Sequence, residues 1–183
     1  MADLQWSLDV NYLGVARVTK AVLPLMRRQR SGRLIAVTSL GGVVGQPFNE
    51  SYCAAKFATE GMYESLHPVL AEFGIHVSIV EPGLVATPFV DKIVGTSGWQ
   101  ADDRPPDDEY APLLAAYLAH MASPSVVGQP AEAVASLLVE IATSDEPVLR
   151  YQSSPAATAV ARLKLADLDG QRVSTLTRGW LQA

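Results

Sequence analysis

Tyr52 and Lys56 stand four residues apart in SYCAAKFATEG (51–61), and Ser39 lies upstream in VTS. On a helix, positions i and i+4 lie one above the other, so the phenol and the ammonium share a face. A nearby ammonium favours the phenolate and lowers the tyrosine pKa from its reference of about 10. Such a tyrosine serves as a general acid/base near neutral pH. Six tyrosines and four lysines in 183 residues yield one such spacing by chance in roughly one chain of eight, so the pair needs support from its surroundings. Ser39 supplies it. A hydroxyl at the carboxyl end of a strand sits where open α/β sheets bind ligands, and can donate to a carbonyl oxygen while Tyr52 gives or takes the proton. Asn11, in DVNYLG, is a poor helix former with an adaptable amide, and taken alone reads as a solvent-facing or helix-bending polar residue.

The elements that must hold these groups follow from apolar periodicity. Leu8, Tyr12, Val15, Val18, Val22 and Leu25/Met26 recur in threes and fours, which predicts a helix from about residue 4 that SGR (31–33) breaks. LIAVTS (34–39) is short, apolar and rich in β-branched residues, as a buried strand is. A second helix is expected from Asn49 or Ser51 to about Phe73, with Ala55, Ala58, Met62, Leu66, Val69 and Phe73 inward and Gly74 as its stop. IHVSIVEPG (75–83) reads as a second buried strand. Residues 84–107, rich in Pro, Gly and Asp, read as a mobile loop over a site. Helices near 108–122 and 130–143, the second opening on a proline, precede a last strand VLRYQ (148–152). The tail from Ala156 is weakly amphipathic, and its form stays open. Alternating helices and strands imply one α/β domain over 1–183, a doubly wound parallel sheet of about three strands with helices on both faces.

Composition narrows the function. The net charge of −5 argues against nucleic acid, and the one basic cluster, MRRQRSGR (26–33), closes a helix where cations complement the dipole. No apolar run approaches the roughly 20 residues a membrane span needs, and MADLQWSLD is too polar for a signal peptide. One cysteine, Cys53, excludes an internal disulfide and fits a reducing cytoplasm. His67, His76 and His120 lack metal-ligand spacing.

VNYLG, VTS, YCAAK and VEPGLVAT follow one another in the order and at the spacing of the short-chain dehydrogenase/reductases, so residues 3–90 resemble that family. The resemblance implies the C-terminal catalytic part of a Rossmann-like fold and an NAD(P)-dependent oxidoreductase interconverting a secondary alcohol and a ketone. It implies a tetrad of Asn11, Ser39, Tyr52 and Lys56. Ser39 would orient the carbonyl, Tyr52 act as acid/base, Lys56 lower its pKa and bind the nicotinamide ribose, and Asn11 help hold a relay water. Pro82, Gly83, Val85 and Thr87 match the segment that meets the nicotinamide carboxamide. GQPFNESYCAAKFATEGMYESL looks most like the 17β-hydroxysteroid and retinol dehydrogenase branch, which implies a lipophilic substrate.

Three family features are not among these 183 residues: the TGxxxGxG turn, the residue that selects NAD or NADP, and the NNAG strand. The resemblance therefore implies an incomplete cofactor site and a truncated protein, with about three βα units to be supplied, roughly 100 residues at ~30 each. GGVVG (41–45) follows a strand, but it leads into QPFN rather than a helix, so it reads as a flexible loop beside Ser39. A three-stranded sheet should leave an apolar edge prone to aggregation. An alternative reading is a non-catalytic subunit that pairs through helices 4–30 and 50–73, with itself or with a full-length relative.

Overall fold

The computed structural model describes residues 2–87, 108–123 and 126–182. The first long helix is a composite of α1 (Ala2–Leu8), a π-helical segment (Asp9–Leu13) and α2 (Gly14–Gln29). A single widened turn of this kind is a frequent mark of a functional site. The exposed Arg17–Asp9 pair, 2.7 Å apart, straddles the segment. At that exposure it adds little stability.

α2 ends at Arg30, which takes the left-handed conformation (φ 54°). The guanidinium groups of Arg27 and Arg30 lie 5.9 and 5.4 Å from the centre of the Phe73 ring. Gly74 (φ +67°) is required here, because a Cβ would stand 2.4 Å from the Arg30 carbonyl. The basic cluster thus closes one helix against the end of the next.

β1 (Gly32–Val37) pairs in parallel with β2 (Ile75–Glu81), Leu34 opposite Val77 and Ala36 opposite Ile79. β3 (Arg150–Gln152) joins the far side of β2, giving the order β1-β2-β3. The expected strand at 148–152 is shorter, but Leu149 and Val148 still accept hydrogen bonds from β2, from the Ile79 N–H and the Ser78 hydroxyl. Among the described residues no strand covers the outer edge of β1.

α3 (Glu50–Ala71) lies on one face of the sheet, and Tyr63 and Leu70 pack there against Leu34, Ala36, Ile75, Val77 and Ile79. Burying each of the leucine, isoleucine and valine side chains contributes about 1.5–3 kcal/mol. On the other face Arg33 donates to the carbonyls of Ile141 and Ser144 at the end of α5 (Ala131–Thr143). Helices therefore flank both faces, as the alternation implied.

The expected inward stripes need correction. Val18, Leu25 and Val69 are 65%, 51% and 57% exposed. Polar residues take the inner places instead: Thr19 is buried with its hydroxyl 3.1 Å from the Tyr63 hydroxyl, and Thr59 and Glu60 are buried on α3. Apolar periodicity misses polar groups that bury as bonded pairs. The loop read as flexible is also packed. Leu40–Gly42 form a 3₁₀ turn, and Val43 and Val44 are buried against Ala161 of α6 (Pro155–Leu165).

α4 (Ala111–Met121) and α5 agree with the expected helices. The open tail folds as α6 and α7 (Gln171–Gly179). Ser154 caps α6 by accepting from the Ala157 N–H, and the Asp167 carboxylate accepts from the Val173 N–H at 2.8 Å. That bond holds the Asp167 carboxyl below its usual pKa. No described helix is long and apolar enough to cross a membrane. The expected mobile loop falls largely on 88–107, outside the described residues.

Candidate active site

Beyond β1 the chain stays tied to β2. Thr38 N–H donates to the Val80 carbonyl at 2.8 Å and Leu40 N–H to the Pro82 carbonyl at 2.7 Å. Ser39 sits between them with extended backbone, its Oγ accepting from the Gly41 N–H at 3.0 Å. Tyr52 enters from the first turn of α3, and its ring and the Ser39 hydroxyl both border Gly41. Gly41 makes room, since a Cβ there would lie 3.2 Å from the Tyr52 ring. Lys56, one turn on, places Nζ 5.6 Å from the centre of the Tyr52 ring and donates to the Val37 carbonyl at 3.3 Å. The structure thus gathers Ser39, Tyr52 and Lys56 at the carboxyl end of β1.

Their electrostatics differ from the sequence expectation. Burial pushes the Tyr52 phenol above its ordinary pKa, and the nearby Ser39 hydroxyl only partly opposes it. Burial also lowers the Lys56 ammonium, with the Glu60 charge working the other way. Desolvation sets the direction, and the Lys56 ammonium that was expected to acidify Tyr52 is not among the causes of its shift. Tyr52 is therefore a protonated donor at neutral pH, the form needed to protonate a carbonyl oxygen.

Asn11 lies in the π-helical segment. Its side-chain amide donates to the Ser7 carbonyl at 3.2 Å, and its own carbonyl accepts from the Thr59 hydroxyl at 2.9 Å. It is thereby fixed to α3 on the turn after Lys56, joined to that helix through its backbone rather than its amide. Neighbouring Cys53 is buried, and burial raises its thiol pKa.

Pro82 and Gly83 follow β2, and Val85 forms a parallel bridge with Gln129. That bridge uses the Ala86 N–H and the Leu84 carbonyl, both at 2.9 Å. In a parallel ladder the residue between them turns its own N–H and C=O the other way. Val85 thus offers one donor and one acceptor, the set that a primary carboxamide complements, and the residues present fit the nicotinamide end of the cofactor. Gly83 leaves ordinary contact space, with Ala157 Cβ 3.6 Å from where a Cβ would stand.

Residues 1–97 match the short chain dehydrogenase family. The chain belongs to that family. It is 40% identical over 163 residues to 17-beta-hydroxysteroid dehydrogenase type 1 of Mus musculus, covering 89% of this chain and 47% of that protein. Retinol dehydrogenase 8 of Bos taurus is 38% identical over 179 residues, covering 93% and 55%. The crystal structure of a short chain dehydrogenase/reductase from Burkholderia phymatum in complex with NAD is similar at a TM-score of 0.71 and 25% identity, over 94% of this chain and 61% of that one. The chain spans about half the length of the curated relatives it matches.

Two groups of residues escaped the sequence reading. Asn49 donates to the Tyr117 hydroxyl at 2.9 Å, and Tyr117 packs on Phe48, so α4 closes over the start of α3. Burial pushes the Tyr117 phenol up to about 12. The second group is an ion cluster. Arg150 donates to Glu60, to Glu81 at 2.6 Å and to Glu64 at 2.8 Å, while Gln152 donates to Glu81 at 2.7 Å. Burial opposes the Arg150 charge, but its carboxylate partners outweigh it and raise its pKa. The available signal was Glu81 itself, a charge closing the buried run IHVSIVE and 0% exposed. Carboxylates so placed need a cation.

Proposed function

We propose that this chain carries the proton-transfer and nicotinamide-facing part of an NAD(P)-dependent oxidoreductase that interconverts a secondary alcohol and a ketone. The observation that carries this reading is the gathering of Ser39, Tyr52 and Lys56 at the carboxyl end of a parallel strand, with Tyr52 and Ser39 both bordering Gly41 and Lys56 over the Tyr52 ring. In the reductive direction Ser39 donates to the carbonyl oxygen and aligns it. Tyr52 gives that oxygen its proton, and Lys56 steadies the phenolate left behind. When bound, the reduced nicotinamide supplies the hydride to the carbonyl carbon. Lys56 would also hold the nicotinamide ribose, and Pro82, Gly83, Val85 and Thr87 would hold the carboxamide. Asn11 braces the α3 turn next to Lys56 and helps hold a relay water. The described residues act as one domain, the catalytic part of the family's fold.

A lipophilic, steroid- or retinoid-like substrate is supported by what the two curated relatives are named for. A cytoplasmic setting accords with one free, buried cysteine. The test is turnover of NADH and NADPH with a panel of steroid and retinoid ketones or aldehydes. Tyr52→Phe should lower kcat at least 10²-fold without altering the melt, the scale expected when a general acid is lost. Equal rates in the wild type and Tyr52→Phe would refute the reading.

A second reading is association through residues 4–30 and 50–73, either with a second copy or with a full-length relative. It is favoured by apolar side chains left outward on these helices, Trp6, Val10, Leu13 and Phe57 among them. Sedimentation should show an assembly that Phe57→Glu weakens.

A further inference from the structure

Glu60 is a buried carboxylate one helical turn beyond Lys56, and the proton chemistry above does not use it. It meets the chain on both sides of Ser39. Its Oε1 accepts from the hydroxyl of Thr38, the residue just before Ser39. A Cβ at Gly42 would stand 2.9 Å from Glu60 Cγ and 3.0 Å from Oε1, so the same side chain presses against the turn just after Ser39. Its other oxygen accepts from Arg150. The charged groups around it are Lys56 and Glu64 on α3, Glu81 on β2 and Arg150 on β3.

Ser39 and Tyr52 belong to different elements, so how closely their hydroxyls approach depends on how the end of β1 seats against α3. Main-chain bonds tie that strand end to β2, not to α3. Beside the Lys56–Val37 hydrogen bond, Glu60 supplies a second, buried side-chain link. We propose that Glu60 is a positioning residue for the Ser39–Tyr52–Lys56 centre: bonded to Thr38 and seated against Gly42, it holds the end of β1 in one register against the Lys56 turn of α3, with Arg150 securing it from β3. The inference rests on the proton-transfer reading of that centre and adds the residue that aligns it. A charge so placed also favours the Lys56 ammonium against desolvation.

The test uses the whole chain, with ¹³C-labelled lysine and tyrosine followed by NMR and the signals assigned through Lys56→Arg and Tyr52→Phe. Glu60→Gln should lower the Lys56 midpoint by about half a pH unit or more, because the supporting charge is gone. Thr38→Val keeps that charge, so it should leave Lys56 in place, displace the Tyr52 ring signals, and raise the Tyr52 midpoint as the Ser39 hydroxyl moves away. Glu81→Gln disturbs the same ion cluster without touching the Ser39 turn, and should leave both signals in place. The inference is overturned if folded Glu60→Gln and Thr38→Val both keep wild-type signals, or if Glu81→Gln moves them equally. Should Glu60→Gln fail to fold, Thr38→Val decides. These signals report alignment whether or not the chain turns over. Retained turnover in Tyr52→Phe would remove the proton-transfer reading and leave the measured alignment standing.

Discussion

Two polar clusters meet at the carboxyl ends of the strands, one helical turn apart on α3, and they are built in opposite ways. Around Arg150, nearly every charge is answered: three carboxylates converge on one guanidinium, and Gln152 and Thr38 take up further oxygens. Around Tyr52, groups are half-buried and sparsely bonded. The phenol has the Ser39 hydroxyl nearby, and the ammonium has one backbone carbonyl at 3.3 Å. Desolvation works against the charged form of both. A cluster that must hold a shape closes its hydrogen bonds internally, whereas one that must meet a ligand leaves capacity unspent, at a cost in stability.

The largest test removes the cation from the closed cluster. Arg150→Met strands Glu60 and Glu81 in the interior and should cost about 3 kcal/mol or prevent folding, as measured by urea unfolding. A loss under ~1 kcal/mol would show that the cluster is not tightly coupled.

Next comes the Tyr117 phenol, which closes α4 over the site. Its folded pKa is about 12, against about 10 when unfolded. Because the folded value is the higher, this contribution is intact below pH 10 and is lost as pH rises toward 12. Stability should fall through that window by on the order of 2 kcal/mol, and Tyr117→Phe should flatten the fall. An unchanged slope in the variant would assign the alkaline loss elsewhere.

Thr59→Val deletes the hydroxyl that binds the Asn11 carbonyl across the π-helical segment, and should cost about 1 kcal/mol in thermal unfolding. Lys56→Met should have the smallest effect on stability, within about 0.5 kcal/mol of the wild type or slightly above it, because the ammonium it removes is poorly solvated. A large destabilisation by Lys56→Met would erase the contrast between the clusters.

Much of this molecule was legible beforehand where a pattern repeats or a spacing constrains geometry. The β-branched runs at 34–39 and 75–81 announced parallel strands, and the i, i+4 relation between Tyr52 and Lys56 needed only a helix to bring them together. Where the reading fell short, partners came from distant parts of the chain. Val18 and Val69 have the right spacing for the core, yet Thr19 and Glu60 hold buried positions because Tyr63, Thr38 and Arg150 satisfy them. The loop after Ser39 looks flexible as a string of glycines, but α6, more than 100 residues later, packs against it.

Residue types and local spacing alone therefore determined the fold class, the helix that aligns phenol with ammonium, and the serine at a strand end. Tertiary structure alone decided how acidic that phenol is and what steadies the strand beneath it. Periodicity and i, i+4 geometry are properties of a few consecutive residues. Desolvation and ion pairing depend on which remote side chains exclude water or supply the opposite charge.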